Sequence, residues 1–242
     1  SSASSGSIQG TESGRASPKG VAPGEFGWEW VTGADNLTVG RTDFSASLAP
    51  IVGKGVVLAV GGFIGSSVDE NGATQNQYTD VVESIDTLGG GILIDAASSG
   101  VPAYPMEISG TGAAALPTGE VVSVGGFGFS SPGIFFYSQS VFVLQEKQQT
   151  DGLGSDLDAN ADNTNSFEWI AGPDFPWARS GLVCSPISSG ILCAGGCNTD
   201  PAYRDAAIFN GTSWTVIAPM NEARNWASAT TAFIPDTSAG AA

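Results

Sequence analysis

Three stretches of the chain repeat one order of apolar and small residues. In each, a hydrophobic run stops at a Gly-Gly pair: Val56-Val57-Leu58-Ala59-Val60-Gly61-Gly62, Val121-Val122-Ser123-Val124-Gly125-Gly126 and Ile191-Leu192-Cys193-Ala194-Gly195-Gly196. Turn-forming segments precede them at residues 52–55, 117–119 and 187–190, and small-residue apolar stretches such as 112–116 and 181–184 lie before those turns. Runs of this length bounded by Gly and Pro read as strands rather than helices. The pattern predicts a hairpin whose second strand ends where the backbone bends or is approached closely.

A second register overlies the first. Trp30, Trp169 and Trp214 stand 11, 10 and 10 residues ahead of Arg41, Arg179 and Arg224. Trp169 to Trp214 and Arg179 to Arg224 both span 45 residues. Two residue types recurring at one spacing mark an internal repeat.

An Arg ahead of a small-residue strand, a run ending in Gly-Gly and a closing Trp together resemble the kelch repeat, best over residues 177–218 and across roughly 26–235. In that family each repeat is one four-stranded blade of a β-propeller. The resemblance implies an all-β, kelch-type β-propeller of four-stranded antiparallel blades, with three recognisable blades and half-blades at both ends. It places blades at about 38–95, 101–171 and 173–218, a partial one at 219–242, and a propeller domain over 25–242. Diglycine spacings of 64 and 70 residues call for insertions in two repeats, expected at residues 65–80 and 130–165. The second repeat has Met106-Glu107-Ile108 where an Arg belongs, and the first has Ile92-Leu93-Ile94 where a closing Trp belongs. The resemblance puts the Trp side chains at blade interfaces and bonds the Arg side chains to adjacent blades. The half-blades imply a part of a longer protein, a ring closed by pairing with another chain, or an open arc, and a chain that stops within a hairpin favours the first.

Composition narrows the chemistry. The 242 residues include 24 Asp and Glu against 8 Lys and Arg, a net charge of −16, which disfavours a nucleic-acid surface. There is no histidine, which removes Ser-His and Cys-His catalysis and His-ligated metals, and with them the copper radical oxidases of galactose-oxidase type. Residues 1–24 are Ser- and Gly-rich with almost no large apolar side chain, and read as a flexible arm. No apolar run is long enough for a helical membrane span.

Three features carry candidate chemistry. Asp156, Asp158, Asn160 and Asp162 alternate as oxygen donors of the kind calcium takes, although Ala161 and Phe167 break the EF-hand pattern; a solvated insertion is the other reading. Cys184, Cys193 and Cys197 share the third repeat, and a 184–193 bridge, a 193–197 bridge and buried thiols all stay open. Asn36-Leu37-Thr38 and Asn210-Gly211-Thr212 are glycosylation sequons. The expected function is a non-catalytic scaffold that binds a protein partner or assembly through inter-blade loops. The alternative is a carbohydrate-binding or carboxylate-dependent hydrolytic propeller. Abundant small polar residues and the sequons fit an extracellular or lumenal setting.

Overall fold

A computed structural model describes residues 35–94, 96–130, 134–148, 166–199 and 201–231. Strand alternation and closely spaced turns give an all-β chain. The first sheet takes β1 (Ser45–Leu48), β2 (Val56–Val60), β5 (Val82–Asp86) and β6 (Ile92–Ile94) in that order. A hairpin of β3 (Phe63–Val68) and β4 (Thr74–Tyr78) is inserted between β2 and β5. After a helical turn, α1 (Ala96–Ser99), the second sheet takes β7 (Gly112–Ala115), β8 (Val121–Val124), β11 (Val141–Glu146) and β12 (Phe167–Ala171). It carries its own inserted hairpin, β9 (Phe127–Ser130) and β10 (Ile134–Tyr137). The third sheet is an uninterrupted meander of β13 (Ser180–Ile187), β14 (Gly190–Cys197), β15 (Ala206–Phe209) and β16 (Trp214–Ile217). All pairings are antiparallel.

The second strand of each sheet (β2, β8 and β14) is buried along most of its length, so the sheets are stabilised by covering one another. One core cluster joins Leu58 and Val60 of β2 to Val121 of β8 and Leu144 of β11; the next joins Val122, Val124 and Val141 to Ile191, Cys193 and Phe209. The tryptophans lie at these junctions. Trp169 packs on Tyr104 and donates its indole N–H to Pro102 O, while Trp214 packs on Phe175 and Phe209 and donates to Pro173 O. Trp30 lies outside the described residues.

The diglycines are explained by inter-sheet contact. Gly62, Gly126 and Gly196 each donate a backbone N–H to the carbonyl of Ile108, Arg179 and Arg224, at 2.8, 2.7 and 2.8 Å. Those acceptors occupy one position in successive repeats, so Ile108 keeps the backbone role without the Arg. Gly61, Gly125 and Gly195 have φ of +64°, +69° and +71°. A methyl on Gly61 would stand 2.6 Å from Ile108 O, and one on Gly125 would stand 2.5 Å from Arg179 O. Only glycine allows both the backbone angle and the approach.

The expectation that the arginines bond to adjacent repeats is corrected by their side chains. Arg41 donates to Gly61 O, to Val81 O and to the Glu83 carboxylate, all within or beside its own sheet. Arg179 donates to Gly195 O at 3.2 Å and to Asp205 at 2.5 Å, again in its own sheet, and lies over the rings of Trp177 and Tyr203. Each guanidinium donates to a diglycine carbonyl at the end of the neighbouring strand of its own sheet, and the Arg179 backbone carbonyl serves the preceding sheet through Gly126. Arg224 differs: it is exposed and pairs with Glu222.

Tyr104 sits between the first two sheets with its hydroxyl buried, and among the described residues neither it nor the nearby Ser123 hydroxyl has a hydrogen-bond partner of normal geometry. Burial pushes this phenol far above its ordinary value, and Ser123 opposes that only in part. The native state therefore holds Tyr104 neutral where the unfolded chain would ionise. Stability is intact below about pH 10 and falls above it by about 1.4 kcal/mol per pH unit for this one group. Tyr104→Phe is expected to raise stability by about 1 kcal/mol and to remove that alkaline loss, as read by urea unfolding from pH 8 to 11.

Candidate functional site

The two inserted hairpins start at the same point of their repeats, at Phe63 and Phe127, each directly after a diglycine. The β3–β4 hairpin is polar along most of its length and turns at residues 69–73. The Asp69 carboxylate accepts the N–H groups of Asn71 and Ala73, both at 2.9 Å, and these bonds, that from Ala73 foremost, hold its pKa below the usual carboxylate range. Its base is aromatic: Phe63 lies opposite Tyr78. The β9–β10 hairpin pairs Phe129 with Phe135 and Phe127 with Tyr137. Neighbouring rings on a pleated surface stabilise such pairs by more than their buried area alone.

Tyr78 joins the two hairpins. Its ring meets Phe127 edge-on at 5.4 Å and stacks with Phe129 at 5.8 Å. Burial raises the Tyr78 phenol, with Asn76 opposing and the Asp43 charge adding to the rise. Trp226 meets Phe127 at right angles, 6.1 Å between centroids. The group forms one aromatic face that is partly open to solvent, with Phe129 39% exposed, Ile134 63%, Phe135 44% and Trp226 49%.

Beside this face runs a row of equivalent residues, each two places after the position of the repeat Arg. Asp43, Gly110, Gly181 and Trp226 have φ of +53°, +66°, +60° and +52°. They are linked by backbone bonds: Gly110 N–H to Asp43 O at 2.7 Å, Gly181 N–H to Gly110 O at 2.8 Å and Trp226 N–H to Gly181 O at 2.8 Å. The Trp226 indole lies over the two glycines, where any Cβ would meet it at 2.9 to 3.0 Å. Asp43, Phe44, Thr111 and Trp226 line a small notch there of about 200 Å³. A left-handed backbone at an Asp and a Trp is strained, and such strain gathers at functional positions. The Ser-Gly pairs at 109–110 and 180–181 signal this row in the sequence, but its successive members are 45 to 71 residues apart and only folding aligns them.

Away from the notch, β1, β7, β13 and residues 229–231 flank a cleft of about 440 Å³ with walls of small apolar residues, Ala113, Ala115, Pro186 and Ala229 among them. Cys184 lies on this wall and is disulfide-bonded to Cys193, its cross-strand partner in the β13–β14 register. Cys197 is a free thiol beside the Ser180 hydroxyl. Of the open cysteine readings, the structure thus takes the 184–193 bridge. Replacing both bridged cysteines by alanine is expected to cost about 2–3 kcal/mol, the loop-closure value for so short a loop. Thiol alkylation of the denatured chain provides the direct check: only Cys197 reacts before reduction, and all three cysteines after it.

Asp156, Asp158, Asn160 and Asp162 lie outside the described residues, as does most of the second expected insertion. Among the described residues, no cluster of three or more His, Cys, Asp or Glu side chains is placed to hold a metal ion. No helix there is long and apolar enough to cross a membrane. No protein-family model matches the chain, and no curated protein matches it.

Proposed function

We propose that the chain is a kelch-like β-propeller, or an arc of one, that acts as a non-catalytic docking scaffold for a protein partner. The repeat of four-stranded sheets, with diglycines taking up carbonyls of the following repeat, supports the propeller reading. The observation that carries the docking reading is the aromatic face made where the two inserted hairpins meet at Tyr78. Aromatic side chains with part of their area exposed on a rigid sheet edge have the composition of interface anchors. Their ordering is already met by the fold, so binding need not supply it. The −16 charge adds long-range attraction for a basic partner.

A photo-crosslinking residue at Phe135, in protein isolated from its source cells, tests this reading. A single discrete polypeptide adduct is expected there, and none from the same probe at Val216 on β16. Equal labelling at both positions, or none at Phe135, would count against docking by the hairpins.

The carbohydrate reading draws on one observation, the half-exposed Trp226 indole in a notch that Asp43 also lines. An indole face beside a hydrogen-bonding carboxylate suits a sugar ring. Oligosaccharide binding that vanishes in Trp226→Gly would favour it. Glycine is the residue at the two neighbouring positions of the row, so this change keeps the left-handed backbone without strain, and an unchanged far-UV spectrum and disulfide confirm the fold of the variant.

A further inference from the structure

The two sequons are placed differently by the fold. Thr38 donates its hydroxyl to Glu83 at 2.5 Å and is thereby drawn into the Arg41–Glu83 pair. Asn210 instead sits at the exposed turn between β15 and β16, with Gly211 at φ +98°. Its Oδ1 accepts the Thr212 N–H at 3.0 Å, the Ser213 N–H at 2.9 Å and the Thr212 hydroxyl at 3.0 Å. The residue after Asn210 is Gly and the one after that carries the hydroxyl the sequon requires. These bonds engage Oδ1 and leave Nδ2 as the group for a new bond. The Cys184–Cys193 bridge in the same sheet is a second, separate observation: such a bridge forms and persists in an oxidising compartment, the setting in which Asn-linked oligosaccharides are transferred. A third is the edge strand β16, whose Val216 is exposed and whose outer side has no neighbouring strand among the described residues. Bulk at its turn blocks edge-to-edge pairing with another chain.

We propose that Asn210 is an N-glycosylation site whose donor is a lipid-linked diphospho-oligosaccharide. Nδ2 forms a bond to the anomeric carbon, the bond from that carbon to the diphosphate oxygen breaks, and the lipid diphosphate leaves with the electron pair. The Nδ2 proton passes to a base of the transferase. The glycan stands at the end of the third sheet opposite its diglycine, because β14 runs from Gly190, beside Asn210, to Gly195 and Gly196. This assignment is independent of the docking reading and leaves the aromatic hairpin face uncovered.

The test directs the chain through the secretory pathway of a eukaryotic host with a cleavable leader and measures the secreted protein by intact mass and peptide mapping. A glycan on the Asn210 peptide, removed by peptide-N-glycosidase and lost in both Asn210→Gln and Thr212→Ala, is the expected result. Thr212→Ser retains the site at reduced occupancy. The Cys184–Cys193 bridge in the same sample shows that the chain passed through the oxidising compartment folded. Secreted, bridged protein with no glycan on Asn210 overturns the proposal, whatever Asn36 carries.

Discussion

Arg41→Ala is expected to be among the most destabilising single substitutions in this chain, at about 3–5 kcal/mol. The Arg41 side chain is fully buried and Glu83 nearly so. Removing the guanidinium leaves the Glu83 carboxylate in a low-dielectric site with, among the described residues, the Thr38 N–H and hydroxyl as its remaining donors. It also strips donors from Gly61 O and Val81 O. An uncompensated buried charge costs more than the pair it came from contributed. In a domain of this size the loss lowers Tm by roughly 6–20 °C. A second variant separates charge from packing: Arg41→Met with Glu83→Leu removes both charges and is expected to recover most of the stability. If the double variant is no better than the single one, packing by the guanidinium stem, not the orphaned carboxylate, accounts for the loss.

The second large effect is expected at Gly125. Alanine there must hold φ near +69° and place its Cβ 2.5 Å from Arg179 O. The left-handed backbone alone costs about 1–2 kcal/mol. The clash is with backbone, which no rotamer change relieves, and it pushes away the carbonyl that Gly126 N–H needs at 2.7 Å. A total of about 3 kcal/mol or more follows. Two controls divide the sum. Gly72→Ala has φ of +82° with open space around the new methyl and is expected to show the backbone cost alone. Gly40→Ala has open space and no left-handed angle, so it is expected to be neutral. Chemical denaturation of the three variants orders them; a Gly125 variant no worse than Gly72→Ala would remove the inter-sheet carbonyl from the account of the diglycines.

These two predictions concern residues that the repeat already marked, yet the marking and the reason came from different levels. The Gly-Gly pairs and the Arg residues are visible as spacing. What they touch is not, because Gly125 meets Arg179 O and Arg41 meets Glu83 across long separations. The Arg partners were expected in neighbouring repeats and lie in the same sheet. A guanidinium just ahead of β1 reaches the end of the paired β2 more easily than the next sheet, whose contact is already made by backbone. The hairpins illustrate the same division. The first falls where the excess length between diglycines puts an insertion, at 65–80, whereas the second, at 127–137, only overlaps the expected 130–165, which also holds β11. The string Gly125-Gly126-Phe127-Gly128-Phe129 reads only as a feature of the blade. That its rings meet Tyr78 of the other insertion depends on both hairpins leaving the same end of adjacent sheets.

By itself, the sequence determined what depends on neighbours along the chain. The strand periods, the turns, the diglycine ends and the repeat are all local, since alternation and glycine φ act within a few residues. Composition likewise excluded histidine chemistry outright. Tertiary structure alone chose the cysteine pairing, because strand register brings Cys184 opposite Cys193 and leaves Cys197 past the bend. It alone aligned Asp43, Gly110, Gly181 and Trp226, and it alone separated one sequon from the other. Each of those outcomes turns on which atoms meet when the sheets pack, and residue order carries that only through the fold.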